Sequence, residues 1–152
     1  MAVNIDRWTR EGRALLNALA QLDKNEVRIG YQQEMIYPDG TPMVLVAMIN
    51  EFGTSKIPSR PFMRQTVDKN EQKIHTQMQK SAQKLATGAT SIAVLNELGV
   101  FGKSLIQKEI KDGGFVPNAP YTIMMKGSDK PLIDTGLMRQ SANYVIKMKG
   151  SR

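Results

Sequence analysis

The chain has no cysteine and only one histidine among its 152 residues. Without cysteine it has no disulfide framework, no thiolate nucleophile and no cysteine-based metal site. The chain has no second histidine that could bind a metal ion together with His75. The composition therefore predicts no metal and no cofactor, and it suits a reducing compartment.

Long apolar runs are also lacking. No stretch approaches the ~18 residues that a membrane span requires. The first ten residues carry Asn4, Asp6, Arg7 and Arg10 in place of the apolar centre of a signal peptide. We therefore expect no membrane partner and synthesis in the cytosol.

Acidic residues are outnumbered, with 14 Asp and Glu against 21 Lys and Arg, and the net charge is +7. A basic surface attracts acidic neighbours, nucleic acid among them. The charge is not concentrated as in a dedicated DNA reader, so ordinary surface charge that keeps a protein soluble is an equal interpretation. With 41% hydrophobic residues, the chain is expected to form one globular domain over residues 1–152.

Hydrophobic periodicity predicts three long helices. The first covers residues 4–22, with Asn4 or Asp6 as its cap and Trp8 in the core. The other two form a helical hairpin over residues 61–111, from Pro61 to about Ala86 and from about Ser91 to Lys111. The first hairpin helix is expected to bury a narrow seam of Val67, Ile74, Met78 and Leu85. In the second, Gly99 and Gly102 permit close approach by another element.

Two short segments alternate as strands do. One covers residues 27–31, with residues 32–36 as a continuation, and the other covers residues 141–147 and could pair with the first. Tyr37-Pro38-Asp39-Gly40 is a turn signal. The apolar run 43–50 fits a buried strand or a short helix, and Thr41-Pro42, as a cap followed by proline, favours the helix.

These elements predict an α+β fold in which a small antiparallel sheet packs with the long helical hairpin and the N-terminal helix. Residues 115–130 contain three of the chain's breakers, Pro117, Pro120 and Gly127. They are expected to form an extended arm, because a loop of this length in a small domain is usually functional or mobile.

Residues 49–64 form a stiff corner between the apolar run and the hairpin. Gly53 can adopt a positive φ, while Pro58 and Pro61 fix the chain direction. Phe52 and Phe62 bracket the corner and are expected to anchor it in the core. In the simpler interpretation the corner is only a loop held in the core by these two rings. In the functional interpretation it also presents three charged residues to a partner: Glu51, Arg60 and Arg64.

The first hairpin helix also carries lysines outside its seam: Lys69, Lys73, Lys80 and Lys84. A charged helix face is usually solvated. The functional alternative is a face turned toward DNA or an acidic neighbour.

Asp134-Thr135-Gly136 resembles the active-site loop of retroviral-type aspartic proteases, in which two such aspartates act as acid and base. Those proteases need further strands after the motif and a β-rich chain before it, and this sequence offers neither. The preferred interpretation is that Asp134 or Thr135 caps a helical turn at 136–140 and that Gly136 frees the backbone there. We expect no enzymatic activity.

Two stretches together resemble the neck or tail-completion proteins of tailed bacteriophages, also described as virion morphogenesis proteins or minor tail components. One contains Asn50-Glu51-Phe52-Gly53-Thr54 and Ile57-Pro58-Ser59-Arg60-Pro61-Phe62-Met63-Arg64; the other is Pro131-Leu132-Ile133-Asp134-Thr135-Gly136-Leu137-Met138-Arg139-Gln140-Ser141. The resemblance spans roughly residues 44–146, with the motifs in the family's order.

The resemblance implies a structural role. Members look like small α+β subunits that form a homo-oligomeric ring, six- or twelve-fold, where head meets tail in the virion, after synthesis in the host cytoplasm. Their partners are the adjacent head-closure or connector proteins and the tail terminator or tail tube proteins, and double-stranded DNA passes through the ring without sequence recognition. On this basis Arg60→Ala is expected to leave the monomer folded and to impair assembly.

Overall fold

The computed structural model describes residues 9–151, which fold into six helices and a two-stranded antiparallel sheet. This is the expected α+β arrangement. Within the described residues, no helix has both the length and the apolar character needed to cross a membrane. The helices are α1 (Arg10–Lys24), α2 (Met43–Phe52), α3 (Phe62–Ala86), α4 (Ser91–Asp112), α5 (Pro120–Lys126) and α6 (Leu137–Ser141), and the strands are β1 (Asn25–Gly30) and β2 (Asn143–Met148).

The predicted pairing of the two strands is confirmed. β1 and β2 are antiparallel, with Val27 opposite Ile146 and Ile29 opposite Tyr144. The predicted continuation of the first strand through residues 32–36 is wrong, because the chain turns away after Gly30. Gly30 has a φ of 149°, and an isolated bridge between Ile36 and Pro42 then closes the predicted turn at residues 37–40.

α4 lies at the centre of the fold and contacts α1, α3, α6 and both strands. The predicted close approach at its two glycines is confirmed. A Cβ added at Gly99 would come within 2.2 Å of the Tyr144 ring, and one at Gly102 within 2.4 Å of Ile29. The glycines therefore seat the sheet directly on the helix backbone, which compensates for their cost of about 1 kcal/mol each in helix propensity.

α3 packs against α4 as the predicted hairpin, but the predicted seam is only partly right: Leu85 is buried and Ile74 is partly buried, whereas the other two residues are exposed. Val67 and Met78 are more than half exposed, and the residues α3 buries are Phe62, Thr66, Ser81 and Leu85. Asn70 has non-helical angles, and the side chains of Thr66 and Asn70 bond to carbonyls one turn earlier. Such back-bonding bends a helix, so the face that meets α4 differs from the one a straight helix predicts.

The first helix begins later than expected. α1 starts at Arg10, and the Thr9 hydroxyl accepts from the Gly12 amide at 3.1 Å as its cap. The predicted caps Asn4 and Asp6, and the predicted core residue Trp8, lie outside the described residues. α1 continues to Lys24, and its apolar side is only partly covered.

The run after the turn is a helix, α2, as the Thr41-Pro42 pair favoured. The predicted capping detail is wrong, because Pro42 itself occupies the cap position and contributes no side-chain bond. Residues 115–130 also differ from the expected extended arm. They contain α5, which has proline at its first position and ends at the left-handed Gly127.

One core joins distant parts of the chain. Phe62 is fully buried at its centre, and the Tyr31 ring meets it edge to face with centroids 6.2 Å apart. The predicted anchoring role of Phe62 is confirmed. The other buried members come from α2, α4, α6 and the segments around α6: Ala47, Ile106, Ile110, Leu132, Met138 and Ala142.

Candidate functional site

The site begins with a buried carboxylate. Glu51, near the end of α2, accepts from the backbone amides of Met63 at 2.8 Å and Arg64 at 3.2 Å. These are first-turn amides of α3, which lack partners within the helix, and Pro61 at the cap position offers them no side-chain acceptor. A carboxylate at a helix N-terminus also interacts favourably with the helix dipole. Glu51 therefore links two successive helices, because it belongs to α2 and caps the N-terminus of α3.

Arg64 completes the ion pair and covers Phe52. Its Nε donates to Glu51 Oε1 at 3.0 Å, and its guanidinium carbon lies 5.6 Å from the Phe52 ring centre. The predicted core position of Phe52 is wrong, because 67% of this residue is exposed. The exposed Phe52 ring instead makes a cation–π contact with the Arg64 guanidinium. Such a contact contributes about 0.5–1 kcal/mol at an exposed position.

Arg60 is buried, and its hydrogen-bond acceptors are neutral. It donates from Nε to Val116 O at 2.8 Å and from Nη2 to Pro117 O and Asn118 Oδ1, both at 3.2 Å, while Nη1 lies 3.5 Å from Asn50 Oδ1. Burial lowers the pKa of Arg60, but arginine stays charged in proteins. The guanidinium thus fastens the corner to the segment that leads into α5.

Gly53 makes the corner geometrically possible. It ends α2 with a φ of 74°, and an added Cβ would lie 2.8 Å from the Ser59 nitrogen. Two short bonds close the same loop, from Arg60 N to Asn50 O at 2.6 Å and from Ser59 Oγ to Glu51 O at 2.7 Å. The chain therefore returns tightly enough to exclude any side chain at position 53.

The Asp134-Thr135-Gly136 stretch lies between a buried residue and α6. Leu132 is buried with a φ of 62°, unusual for a residue other than glycine, and Gly136 has a φ of 79° at the start of α6. The prediction that Asp134 or Thr135 caps the helix is wrong, because Gly136 occupies the cap position and no side chain caps α6. Thr135, one residue earlier, accepts from Leu137 N at 3.4 Å. Asp134 is exposed and lies near the Tyr37 phenol, whose pKa is raised by burial and by the charges of Asp134 and Asp39.

Both motif stretches line one open cleft of about 560 Å³. Pro58 and Arg60 contribute from the corner, and Asp134, Thr135 and Gly136 contribute from the second stretch. α2 and α5 form two of its walls. The lining mixes apolar side chains with charged ones of both signs, among them Lys56, Lys126 and the exposed carboxylates of Asp39 and Asp134.

The structure thus gives each predicted partner-contact residue an intramolecular position. Glu51 and Arg60 are buried and bonded within the chain, so neither is presented outward, and of the three only Arg64 is largely exposed. Sequence reasoning missed Asn118, which accepts from Arg60 and donates to Lys130 O at 3.2 Å. The signal available in the sequence was its position between Pro117 and Ala119-Pro120. Proline has no backbone N–H, so the side-chain amide of Asn118 can donate where the backbone cannot.

Two of the four predicted DNA-facing lysines form ion pairs with α4. Lys69 Nζ lies 2.6 Å from Glu109, which is buried, and Lys84 Nζ lies 2.7 Å from Glu97. Lys73 donates to the neighbouring Asn70 side chain at 3.1 Å, and Lys80 is exposed. The positive charge of this face is therefore partly neutralised within the hairpin.

Comparisons of the chain with models of protein families, with curated proteins and with solved structures gave no match. Among residues 9–151, no group of three or more acidic or histidine side chains is arranged to hold a metal ion. The site consists of a corner fixed by Glu51 and Arg60, the segment that Arg60 holds before α5, and a cleft with apolar and charged lining between them.

Proposed function

We propose that the chain is a structural subunit of the head–tail interface of a tailed bacteriophage. It forms a homo-oligomeric ring that joins or completes the tail and lets the genome pass. The adjacent layers are a head-closure or connector protein and a tail terminator or tail tube protein. The virion is its location, and it has no catalytic task.

One observation supports this proposal most. The two sequence stretches that resemble the phage family are separated by about 70 residues, yet both line the same cleft. Their polar side chains act on backbone groups, as Glu51 does at the start of α3 and Thr135 does at the start of α6. Motif residues that stabilise the fold are expected in a protein whose function is structural.

Nucleic-acid binding by the free monomer is a weaker candidate. The net charge of +7 attracts polyanions. However, the pairing of Lys69 with Glu109 and of Lys84 with Glu97 reduces the charge that α3 can offer. A lumen that merely allows DNA through needs no strong attraction, so this charge distribution fits passage better than capture.

The aspartic-protease alternative has little support. The described residues form two strands and six helices, and Asp134 lies exposed on a bend before α6. Two carboxylates must share a desolvated site to divide acid and base roles. An exposed bend does not supply such a site.

The test is to purify the full chain and determine its assembly by native mass spectrometry and negative-stain electron microscopy. The expected result is a closed ring without peptidase activity, together with weak, salt-sensitive binding to duplex DNA. A protein that stays monomeric at all concentrations and never enters virions would overturn the proposal. Peptidase activity that Asp134→Asn abolishes would revive the protease alternative, while tight salt-dependent DNA binding by a monomer would favour the nucleic-acid alternative.

A further inference from the structure

The α3–α4 hairpin carries a surface furrow made of two adjoining hollows. The first hollow measures about 390 Å³ and is lined by five residues of α3 and one of α4: Gln72, Lys73, Thr76, Gln77, Lys80 and Phe101. The second measures about 550 Å³ and is lined mostly by α4. Because Gln77 and Phe101 line both hollows, the two form one continuous furrow along the hairpin.

The first hollow is positively charged. Lys73 and Lys80 are the only ionisable residues in its lining, and both are exposed. Lys73 donates to the side-chain oxygen of Asn70, which is neutral, so its charge is not balanced by this bond. The other lining groups are two amides, a hydroxyl and an aromatic ring, and none of them carries a negative charge. The hollow therefore suits an anionic partner.

The acidic residues of the hairpin do not neutralise this hollow. Glu97 lines only the second hollow, where both of its carboxylate oxygens accept from Lys84 at 2.7 Å. Glu109 is buried and pairs with Lys69. The other three acidic residues of the hairpin line neither hollow: Asp68, Glu71 and Asp112. The first hollow thus keeps a local excess of two positive charges, while the paired lysines do not add to it.

We propose that Lys73 and Lys80 contact the phosphate backbone of duplex DNA at this hollow, and that the paired lysines of α3 take no part. The inference rests on the proposed function for the choice of DNA as the occupant, and it identifies the surface that meets the DNA. The two lysines are seven residues apart, which places them about 10 Å apart along α3. Duplex DNA carries one charge per about 1.7 Å of its axis, so phosphates reach both lysines in many registers. The side-chain amides of Gln72 and Gln77 can also donate to phosphate oxygens without reading the sequence.

Fluorescence anisotropy of a short fluorescein-labelled duplex tests this contact with the full chain. Binding is measured from about 50 to about 200 mM sodium chloride for the unmodified chain and for the double variant Lys73→Gln/Lys80→Gln. Glutamine has nearly the helix propensity of lysine, so α3 is retained. We expect the double variant to bind at least about tenfold more weakly at the lowest salt. Its salt slope should fall by at least about 1.8, because each phosphate contact contributes about 0.9.

A second double variant, Lys111→Gln/Lys130→Gln, controls for net charge. It removes the same two charges, but both lysines are exposed and neither lines the furrow. Its salt slope should stay within about 0.5 of that of the unmodified chain. Circular dichroism and native mass spectrometry check that both double variants fold and assemble alike. If the two double variants weaken DNA binding equally, general charge attracts the DNA and the assignment to this hollow is overturned.

Inorganic phosphate tests whether the hollow holds a single small anion instead. At matched ionic strength, sodium phosphate should release DNA no better than sodium chloride does. Selective release by phosphate that is lost in Lys73→Gln/Lys80→Gln would assign the hollow to a small anion and overturn the DNA contact.

The outcomes separate this inference from the proposed function. If the unmodified chain forms rings but binds no duplex at the lowest salt, or if Lys73→Gln/Lys80→Gln binds as the unmodified chain does, the DNA contact is overturned and the ring stands. If the unmodified chain remains monomeric, the proposed function fails, and the anisotropy still decides the contact. Selective loss of binding in Lys73→Gln/Lys80→Gln then supports it, and equal loss in both double variants overturns it.

Discussion

Arg60 offers the sharpest test of how the corner is held. The guanidinium makes three hydrogen bonds of 2.8–3.2 Å to residues 116–118, more than 50 positions away in the chain. Arg60→Ala removes all of them and leaves two backbone carbonyls and the Asn118 amide oxygen facing a small void. Each unsatisfied buried acceptor costs about 1–3 kcal/mol, and water entering from the cleft offsets part of that cost.

We therefore expect Arg60→Ala to lower the free energy of unfolding by about 2–4 kcal/mol and the melting temperature by about 5–15 °C. Urea denaturation followed by circular dichroism measures the first quantity. Limited proteolysis should also show earlier cleavage between α4 and α5, since that segment loses its attachment. The earlier expectation of an undisturbed monomer with an assembly defect is thereby revised, because the structure gives Arg60 an internal role.

Two further variants sharpen this test. Arg60→Lys keeps the charge but not the planar fork, so it should recover less than half of the lost stability. Arg28→Ala is the control, since Arg28 is exposed and pairs with Glu26 on the surface, and it should change stability by less than about 1 kcal/mol. If Arg60→Ala and Arg28→Ala have equal stabilities, the reasoning about buried neutral acceptors is refuted.

Two other predictions concern the core and the loop. Burial raises the pKa of Tyr31, and its hydroxyl has no hydrogen-bond partner among the described residues. The phenol is therefore neutral in both states below the unfolded pKa of 10.0, and stability falls as the pH rises above that value because only the unfolded chain readily releases the proton. Tyr31→Phe should stabilise the fold by up to about 1 kcal/mol at neutral pH and should reduce the loss of stability measured by urea denaturation at about pH 11; an unchanged alkaline loss would contradict this assignment. Gly53→Ala should cost roughly 2–4 kcal/mol by the same assay, because the φ of 74° and the 2.8 Å approach to Ser59 both oppose a side chain, whereas Gly114→Ala, with open space around it, should be nearly neutral.

Local sequence signals predicted most of the secondary structure. The alternation around Val27 and Val145, the turn at Asp39-Gly40 and the breaks on either side of α4 each act within a few residues, and the structure agrees with them. The approach of Tyr144 to Gly99 was foreseeable in kind, because two glycines within a helix are costly unless something uses the space.

The predictions that were wrong depend on contacts between distant parts of the chain. Thr66 and Ser81 are buried on α3 while Val67 is exposed, because a bend at Asn70 decides which face meets α4. Composition assigns Phe52 to the core, but Glu51 faces α3 to cap it, which leaves the neighbouring Phe52 side chain exposed. Arg60 looks like a surface residue in sequence, since its acceptors become available only when residues 116–118 fold back onto the corner.

The pairing of β1 with β2 also sets the order in which the fold can be completed during synthesis. The α3–α4 hairpin joins neighbouring segments and can form as soon as both helices have been made. β1 is made much earlier than β2, because residues 31–142 lie between them. Until β2 is made, the unpaired edge of β1 and the sites at Gly99 and Gly102 on α4 remain open. This interval is when edge-to-edge association competes most strongly with folding.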